Sequence, residues 1–562
     1  MTRPASPTQM TAGLEKPVEA NGAIEPRPDA GMRHVDHCTK TSPVPTIPSA
    51  QDADTSQDAN ALPKWRYELR QRLLPIVRAE TPYVAALQRF CRTPFLDSYF
   101  AFTANLGTHT FFTLMLPIAM WCGQNDVGRG LYHLLAWGVI VSGILKDLLC
   151  LPRPISPPLQ RITMSGSAAL EYGFPSTHAT NAASVAAWGL YALHHNTTMA
   201  PTTNFFLQAL CYLYIFTILF GRVYCGMHGF FDVFIGSAIG LVLFVFHIHF
   251  SDDYNQWVST ESPWNSILVS IFMLIVVRLH PEPADNCPCF EDSVAFAGVI
   301  IGADIAMWQY AHNPLSLSDP VPGTTPYSYA QFGLIKSTLR IVLGVFIVFG
   351  WRAVMKPLLF KLLPPLFRIF ERLSLDLPRR YFLKASQYGK IPRLQRDDNV
   401  IPAASDIPTL INSVRQRKGR AVSIGPQSEA DAYETIAYRR EQRQRSLSAS
   451  SEKQLPSSAV AERSDSPGAD AWASTMDSGV SPVTPGFERS LDGRTEPFPD
   501  FYAVDKDEET EQREIFGLLE KVRVRYDVEV VTKLIVYSGI AALAVQWIPI
   551  LFEYVGLGIT QM

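Results

Sequence analysis

FFLQALCYLYIFTILFGRVYCGMHGFFDVFIGSAIGLVLFVFHIHF, residues 205–250, decides the fold. Two apolar runs, 205–221 and 228–250, flank a short word that holds Arg222, with His228 and Asp232 opening the second run. A bilayer core needs roughly 20 apolar residues per helix, and each run is close to that length. The pair therefore reads as two membrane-crossing helices whose junction carries ionisable side chains. Such groups are costly at membrane depth, so where they occur they have partners or a function.

Further apolar runs lie near 100–122, 130–150, 179–195, 264–279, 293–311, 335–355 and 531–553. The expected fold is all-α, a polytopic transmembrane helix bundle of about 8–9 spans with disordered polar segments. The run 179–195 is rich in Ala and other small residues, which close helix packing in lipid prefers. Mean hydropathy over the 562 residues is near zero only because polar tracts dilute these runs. Residues 1–63 read as a disordered N-terminal tail, too polar to offset chain entropy by burial, and they show no cleavable signal-peptide pattern. Residues 64–99 read as a basic juxtamembrane region. There Trp65, Leu73, Leu74, Ile76 and Val77 alternate with Arg70, Arg72 and Arg78, as on an interfacial or a cytosolic helix. Residues 100–355 form the transmembrane domain, 356–530 a mostly disordered polar segment, and 531–553 a C-terminal transmembrane helix.

The formal net charge of -3 gives no reason to expect a nucleic-acid partner. The eight cysteines are scattered. Cys287 and Cys289 form a lone C-x-C with no second pair, too little for a structural zinc site. They read as ordinary thiols, with one lumenal disulfide in the chain as the alternative. No metal or other cofactor is expected.

Three words concentrate the unusual residues. The first is Lys146-Asp-Leu-Leu-Cys-Leu-Pro-Arg153-Pro154, the second Phe174-Pro-Ser176-Thr177-His178, the third Gly221-Arg222-Val-Tyr-Cys-Gly-Met-His228-Gly-Phe-Phe-Asp232. Counting spans puts all three on one side of the membrane. Lys146, Arg153 and Arg222 offer the cations that a phosphate dianion needs, and Arg can bind it bidentately. Ser176 stands where a helix begins, a natural N-cap whose helix terminus offers N–H groups to an anion. His228 and Asp232 are four apart, hence on one helical face. An Asp beside an imidazole N–H fixes the tautomer and leaves the other ring nitrogen free as a nucleophile. His178 is then the general acid, since an imidazole with its ordinary pKa of about 6.5 suits that task. Each residue alone has a plainer reading: an interfacial charge, a helix start, a packed histidine, a structural pair inside the bundle. Their co-occurrence, in this order and on one side, favours the chemistry.

These words resemble the three motifs of the type 2 phosphatidic acid phosphatase superfamily, K-x6-R-P, P-S-G-H and S-R-x5-H-x3-D. The resemblance implies that Lys146, Arg153, Ser176 and Arg222 bind the phosphate. It implies that His228 becomes a phosphohistidine with Asp232 behind it, and that His178 protonates the leaving group. Thr177 stands where the general pattern has Gly, and Gly221 where it has Ser. P-S-T-H resembles the sphingosine-1-phosphate phosphatase branch, as do the flanking Arg153-Pro-Ile-Ser-Pro-Pro158 and Glu171-Tyr172; Thr177 is then a possible further site residue. The implied substrate is a sphingoid long-chain base 1-phosphate lipid, handled in the endoplasmic reticulum membrane without a metal. The alternatives are a broader lipid phosphate or polyprenyl diphosphate phosphatase, a glucose 6-phosphatase, and a catalytically idle scaffold or lipid carrier.

Several signals fall outside the motifs. Asp304, within an apolar run, reads as a carboxyl hydrogen-bonded inside the bundle. Lys336 and Arg340 read as snorkelling to the interface or meeting a lipid head. Asn196-Thr-Thr198 is a glycosylation sequon on the side opposite the three words. The basic flanks favour a cytosolic catalytic side, while the resemblance implies a lumenal one. A crossing missed near 73–95, or a failure of the charge rule, would reconcile them.

Overall fold

The computed structural model describes residues 62–391 and 524–559, less 108, 157, 163–170, 198, 261, 320, 376–378 and 390, with scattered positions from 432 to 517. The expected tail 1–63, save its last two residues, and most of the expected polar segment lie outside the described residues.

Helices α1 (Lys64–Ala79), α2 (Thr81–Cys91) and α3 (Pro94–Thr103) lead in. The bundle follows as α4 (His109–Trp121), α5 (Asn125–Leu149), α6 (Thr177–His195), α7 (Pro201–Tyr224) and α8 (Phe230–Val258). It continues as α9 (Trp264–Leu279), α10 (Cys289–Ala311) and α11 (Tyr329–Arg372). The C-terminal pass is α12 (Val528–Ala542), a π-helical turn at Leu543–Trp547 and α13 (Ile548–Tyr554). Six helical stretches among the described residues are long and apolar enough to cross a membrane: α5, α7, α8, α10, α11 and Val528–Tyr554. The apolar part of α4 and all of α9 are shorter. Large apolar side chains such as Phe205, Phe206, Phe216, Phe246, Ile335 and Phe346 point outward, as on a lipid-facing surface.

Two boundaries move. The expected first span, 100–122, is broken by a 3₁₀ turn at Ala104–Gly107 between α3 and α4. The helix expected to end at 355 runs on to Arg372. Phe382–Leu383 then pairs in parallel with Arg525–Tyr526, and the Tyr388 hydroxyl donates to Asp527 Oδ1 at 2.6 Å. These contacts fasten the start of the C-terminal pass to the chain leaving α11.

The helices run alternately up and down. At one end Thr325 N–H donates to Asn125 Oδ1 at 3.1 Å, and Trp308 Nε1 to Thr260 O at 2.8 Å. At the other, Arg66 Nε donates to Leu148 O at 2.8 Å and Arg379 Nη1 to His280 O at 3.1 Å. Small residues set the closest approaches. A side chain at Gly302 on α10 would strike the Ser538 carbonyl of α12, and one at Gly240 on α8 the Thr180 carbonyl of α6. The largest buried cluster joins Trp121, Val348, Val536, Ile540 and Phe552, and Trp121 Nε1 donates to Ala544 O in the π turn at 2.9 Å.

Asp304 is buried and doubly satisfied, accepting from Tyr132 Oη at 2.8 Å and Tyr254 Oη at 2.5 Å. Arg340 does not reach the interface. It is buried, donating to Leu557 O and Pro326 O at 3.1 Å each and lying 4.6 Å from the centre of the Phe552 ring. It thus ties α11 to the C-terminal pass. The seven cysteines among the described residues are all free thiols, so the lumenal disulfide is not formed among them.

Candidate active site

The site begins where α5 ends. Cys150 adopts a left-handed conformation (φ 50°, ψ 37°) and its N–H returns to Lys146 O at 2.9 Å, which stops the helix and turns the chain into Leu151–Pro154. The last carbonyls of a helix lack intrahelical donors. Here α1 supplies them: Arg66 Nη2 to Asp147 O at 2.5 Å and Arg70 Nε to Cys150 O at 3.1 Å. The buried Lys146 is held in this last turn, and its Nζ donates to Glu171 Oε2 at 2.5 Å.

Arg153 follows on the loop, also buried. Its Nε donates to Glu171 O at 2.9 Å, its Nη1 to Met227 O at 2.6 Å, and its Nη2 lies 4.0 Å from Glu171 Oε2. Nη1 is also 3.2 Å from His228 Nε2. Arg222, at the end of α7, is buried with its Nε meeting no hydrogen-bond acceptor among the described residues. A buried, unsatisfied guanidinium donor is expensive, and a bound anion would satisfy it.

His228 lies in the loop before α8. Its Nδ1 is 2.8 Å from Gly173 O, so Nδ1 carries the hydrogen and Nε2 presents its lone pair toward Arg153. Burial first, and then the charges of Arg153, Lys146, Arg222 and His178, hold the His228 pKa well below its ordinary value. The imidazole is therefore neutral at neutral pH. For Arg153 the order is burial, which lowers, then Glu171, which raises, then Arg161 and Arg222, which lower; the outcome is a pKa of about 10.

Asp232 lies beside His228, as its spacing suggested, without a hydrogen bond to it. Its Oδ2 is 3.7 Å from His228 Nδ1, too long for a hydrogen bond, and it accepts from Gly229 N–H at 2.9 Å instead. The short carboxylate caps the first turn of α8, and the tautomer is fixed by the Gly173 carbonyl. That carbonyl is itself placed by Gly173 N–H donating to Leu151 O at 2.9 Å, in a turn where a Cβ would sit 2.7 Å from Pro152 O.

Ser176 is the N-cap of α6 as expected, its Oγ accepting from Ala179 N–H at 3.4 Å. Gly236 of α8 presses on it, since a Cβ there would lie 2.6 Å from Ser176 O. This contact keeps the start of α6 beside the start of α8. Thr177 is engaged elsewhere, its Oγ1 sharing a 2.9 Å hydrogen bond with Ser142 Oγ on α5. It joins two helices. His178, half-buried in the first turn of α6, packs its ring against Gly107, where a Cβ would be 2.9 Å from His178 Cδ2. Gly221 has a packing reason too: a Cβ there would sit 3.0 Å from the Phe100 ring, so a Ser would press on that ring.

Glu171, which the sequence offered with Asp304 as an acidic contact for a substrate amine without placing either in the site, bridges Lys146 and Arg153. Two further residues escaped the sequence reading. Arg161 is buried with Nη2 donating to Pro154 O at 2.8 Å, outside any motif spacing. Glu80, between α1 and α2, accepts from Phe231 N–H at 2.8 Å and so covers the start of α8; burial raises its pKa. No motif spacing points to Arg161 or Glu80.

A helix bundle with a buried cationic cradle at one end, facing a neutral imidazole, is the layout of an integral-membrane phosphatase. The comparisons with known proteins agree. Residues 129–256 match the PAP2 superfamily. The chain is 42% identical over 304 residues to a dihydrosphingosine 1-phosphate phosphatase of Schizosaccharomyces pombe, covering 54% of this chain and 72% of that one. It is 37% identical over 310 residues to one of Saccharomyces cerevisiae, covering 54% and 74%. With sphingosine-1-phosphate phosphatase 2 of Homo sapiens it shares 26% identity over 338 residues, 57% and 78% of the two chains. No solved structure matches. The chain belongs to the sphingoid-base phosphate phosphatase branch of the PAP2 superfamily.

Proposed function

We propose that the protein hydrolyses the phosphomonoester of sphingoid long-chain base 1-phosphates, those of sphingosine, dihydrosphingosine or phytosphingosine, in the endoplasmic reticulum membrane. The observation that carries this reading is the cradle itself. Lys146 and Arg153 already hold an anionic group, the Glu171 carboxylate, with Arg153 Nη1 3.2 Å from the His228 ring nitrogen.

In the proposed reaction Lys146, Arg153, Arg222 and the Ser176 helix terminus bind the phosphate oxygens and neutralise their charge. His228 Nε2 attacks phosphorus, the P–O bond to the lipid breaks, and His178 gives its proton to the departing alkoxide. Water then attacks the phosphohistidine, its proton passes to His178, and inorganic phosphate leaves with Nε2 restored. Asp232 supports His228 through the first turn of α8. The substrate's tail stays among lipid-facing helices while its head reaches the span ends.

Glu171 gives the substrate reading its physical content. An incoming phosphate displaces its carboxylate from Lys146. The 2-ammonium of a sphingoid base, on the carbon next to the ester carbon, is then the cation Glu171 meets. Asp304 is excluded from that role, because it lies at the other end of α5, bonded to Tyr132 and Tyr254. The test is kcat/KM for sphingosine 1-phosphate, dihydrosphingosine 1-phosphate, lysophosphatidate, phosphatidate and glucose 6-phosphate in one detergent. A tenfold preference for the sphingoid phosphates corresponds to about 1.4 kcal/mol of transition-state discrimination. Equal rates on lysophosphatidate would make it a general lipid phosphatase, and no turnover of any would leave a scaffold.

A further inference from the structure

Directly behind the cradle lies a second cluster that the phosphatase chemistry does not use. Asp147, Cys287 and Cys289 are buried, and a carboxylate oxygen and the two sulfurs all lie within 4.8 Å of one another. Neither carboxylate oxygen of Asp147 meets an N–H or O–H donor within hydrogen-bond geometry, and the weakly donating Cys287 thiol is the hydrogen-bonding side chain beside it. A fully buried carboxylate so poorly satisfied is costly unless a cation completes it. His280, also buried, places Nδ1 3.6 Å from Asp147 Oδ2.

We propose that Asp147, Cys287, Cys289 and His280 Nδ1 hold one structural zinc ion. Two sulfurs, one imidazole nitrogen and one carboxylate oxygen form a ligand set that zinc favours, closed and tetrahedral. Zinc–ligand bonds of about 2.0–2.3 Å give tetrahedral edges of roughly 3.3–3.8 Å. The 3.6 Å between Asp147 and His280 falls in that range, and the Asp147, Cys287 and Cys289 donor atoms, within 4.8 Å of one another, must draw closer to each other and to His280 to reach it. The outer partners fit as well. His280 Nε2 is 3.2 Å from Ser293 Oγ, which in turn donates to Cys289 O at 3.1 Å. That arrangement puts the hydrogen on Nε2, as ligating histidines usually require; Nδ1, 3.1 Å from Pro281 O, would give up that contact to turn its lone pair on the metal. Arg379 Nη2, 3.4 Å from Nδ1, keeps its 2.8 Å bond to Pro281 O when it gives up the ring nitrogen.

Charge balances too. Binding releases the two thiol protons to solvent, and two thiolates with one carboxylate around a divalent ion leave one net negative charge. Arg525 Nη1 donates to Cys287 O at 2.6 Å and Arg379 Nη1 to His280 O at 3.1 Å, so guanidinium groups border the site to offset it. The ion would clamp the last turn of α5, the end of α9 and the start of α10 together. Since Asp147 directly follows Lys146, it would fix the backbone that aims the phosphate-binding lysine. The C-x-C alone offered two ligands; the fold brings two more from residues 140 and 7 positions away in the chain.

The experiment is metal analysis of the full-length chain, made with zinc in the medium and purified in detergent without chelator. About one zinc per chain is expected, falling below about a tenth in C287S/C289S and in D147N. Should those variants fail to fold, the wild-type chain loaded with cobalt decides alone. It should show a thiolate-to-cobalt charge-transfer band and the visible bands of a tetrahedral site, and zinc-edge X-ray absorption should show two sulfur neighbours. Less than about a tenth of a zinc with no cobalt band, zinc retained in C287S/C289S, or a Cys287–Cys289 disulfide in the purified protein would each overturn the proposal.

Discussion

Replacing Glu171 by Gln separates binding of the phosphate from reading of the amine. The substitution keeps shape and removes one negative charge from a carboxylate 2.5 Å from Lys146 Nζ and 4.0 Å from Arg153 Nη2. Two opposite effects follow. A substrate without an amine, such as lysophosphatidate, meets a cradle freed of a competing anion, so its kcat/KM should hold or rise. A sphingoid phosphate loses its charge-assisted partner for the ammonium, worth about 1.5–3 kcal/mol. The Glu171 side chain is 20% exposed, so the lower end applies. About 1.5 kcal/mol is roughly tenfold. The ratio of kcat/KM for dihydrosphingosine 1-phosphate over lysophosphatidate should therefore fall about tenfold, measured as phosphate release from mixed micelles of fixed composition. A ratio unchanged while both rates fall together would refute the reasoning, and would make Glu171 a holder of Lys146 and Arg153 only.

His228→Ala should lower phosphate release by at least about a thousandfold at matched protein level, as loss of a nucleophile does; activity near wild type would end the phosphohistidine mechanism. Brief exposure to excess EDTA should leave the rate intact, because the charges of Lys146, Arg153 and Arg222 do what a catalytic metal would do. Inhibition reversed by Mg²⁺ would contradict this. The acid limb of kcat/KM due to His228 should lie below the ordinary imidazole value of about 6.5. Protonation disables the nucleophile, and a depressed pKa means the neutral ring persists to lower pH. A limb centred near pH 7.5 or above in the pH–rate profile would show that the cradle does not act on His228 as described.

The helical passes were legible because apolar length is a property of sequence alone, and the motif cations because phosphate chemistry restricts residue type. What sequence could not show is how carbonyl groups and neighbouring charges divide the contacts. Asp232 sits at the helical spacing that suggests an Asp–His pair, yet the orphan N–H groups of the α8 terminus take its carboxylate, and the Gly173 carbonyl takes the imidazole. Thr177 carries a family signature, but its hydroxyl meets Ser142 across the α5–α6 contact. Arg340 looked interfacial in a linear reading. It is buried because Leu557 and Pro326, far apart in the chain, leave carbonyls that need a donor. For Asp232 and Arg340 the deciding partner is a backbone group, and for Thr177 a side chain on a neighbouring helix; residue-type patterns display neither.

The same logic bears on which face of the membrane carries the site, and it yields the last prediction. The basic segment before the first pass favoured a cytosolic catalytic side, unless a crossing was missed between 73 and 95. Among the described residues, neither α1 nor α2 makes that crossing. Arg66 and Arg70 of α1 bond carbonyls at the end of α5, and Gln88 of α2 donates to Gln160 O at 2.9 Å and Tyr224 O at 2.8 Å. Both helices therefore lie at the catalytic end. Arg66 and Arg70 are also buried, so they cap a helix and are not the exposed charges that the orientation rule counts. With them removed from the count, Lys64, Arg72 and Arg89 remain exposed on this flank, so the charge rule still opposes the lumenal catalytic end that the family resemblance implies, and the sequon separates the two. Asn196 follows the far end of α6, with its Oδ1 accepting from Met199 N–H at 3.0 Å. A lumenal catalytic end puts this sequon in the cytosol, where it stays unmodified. Endoglycosidase treatment of the full chain from eukaryotic membranes should then cause no mobility shift attributable to Asn196, judged against Asn196→Gln. A glycan on Asn196 would place the far end in the lumen and the phosphatase cradle, with α1 and α2, on the cytosolic face.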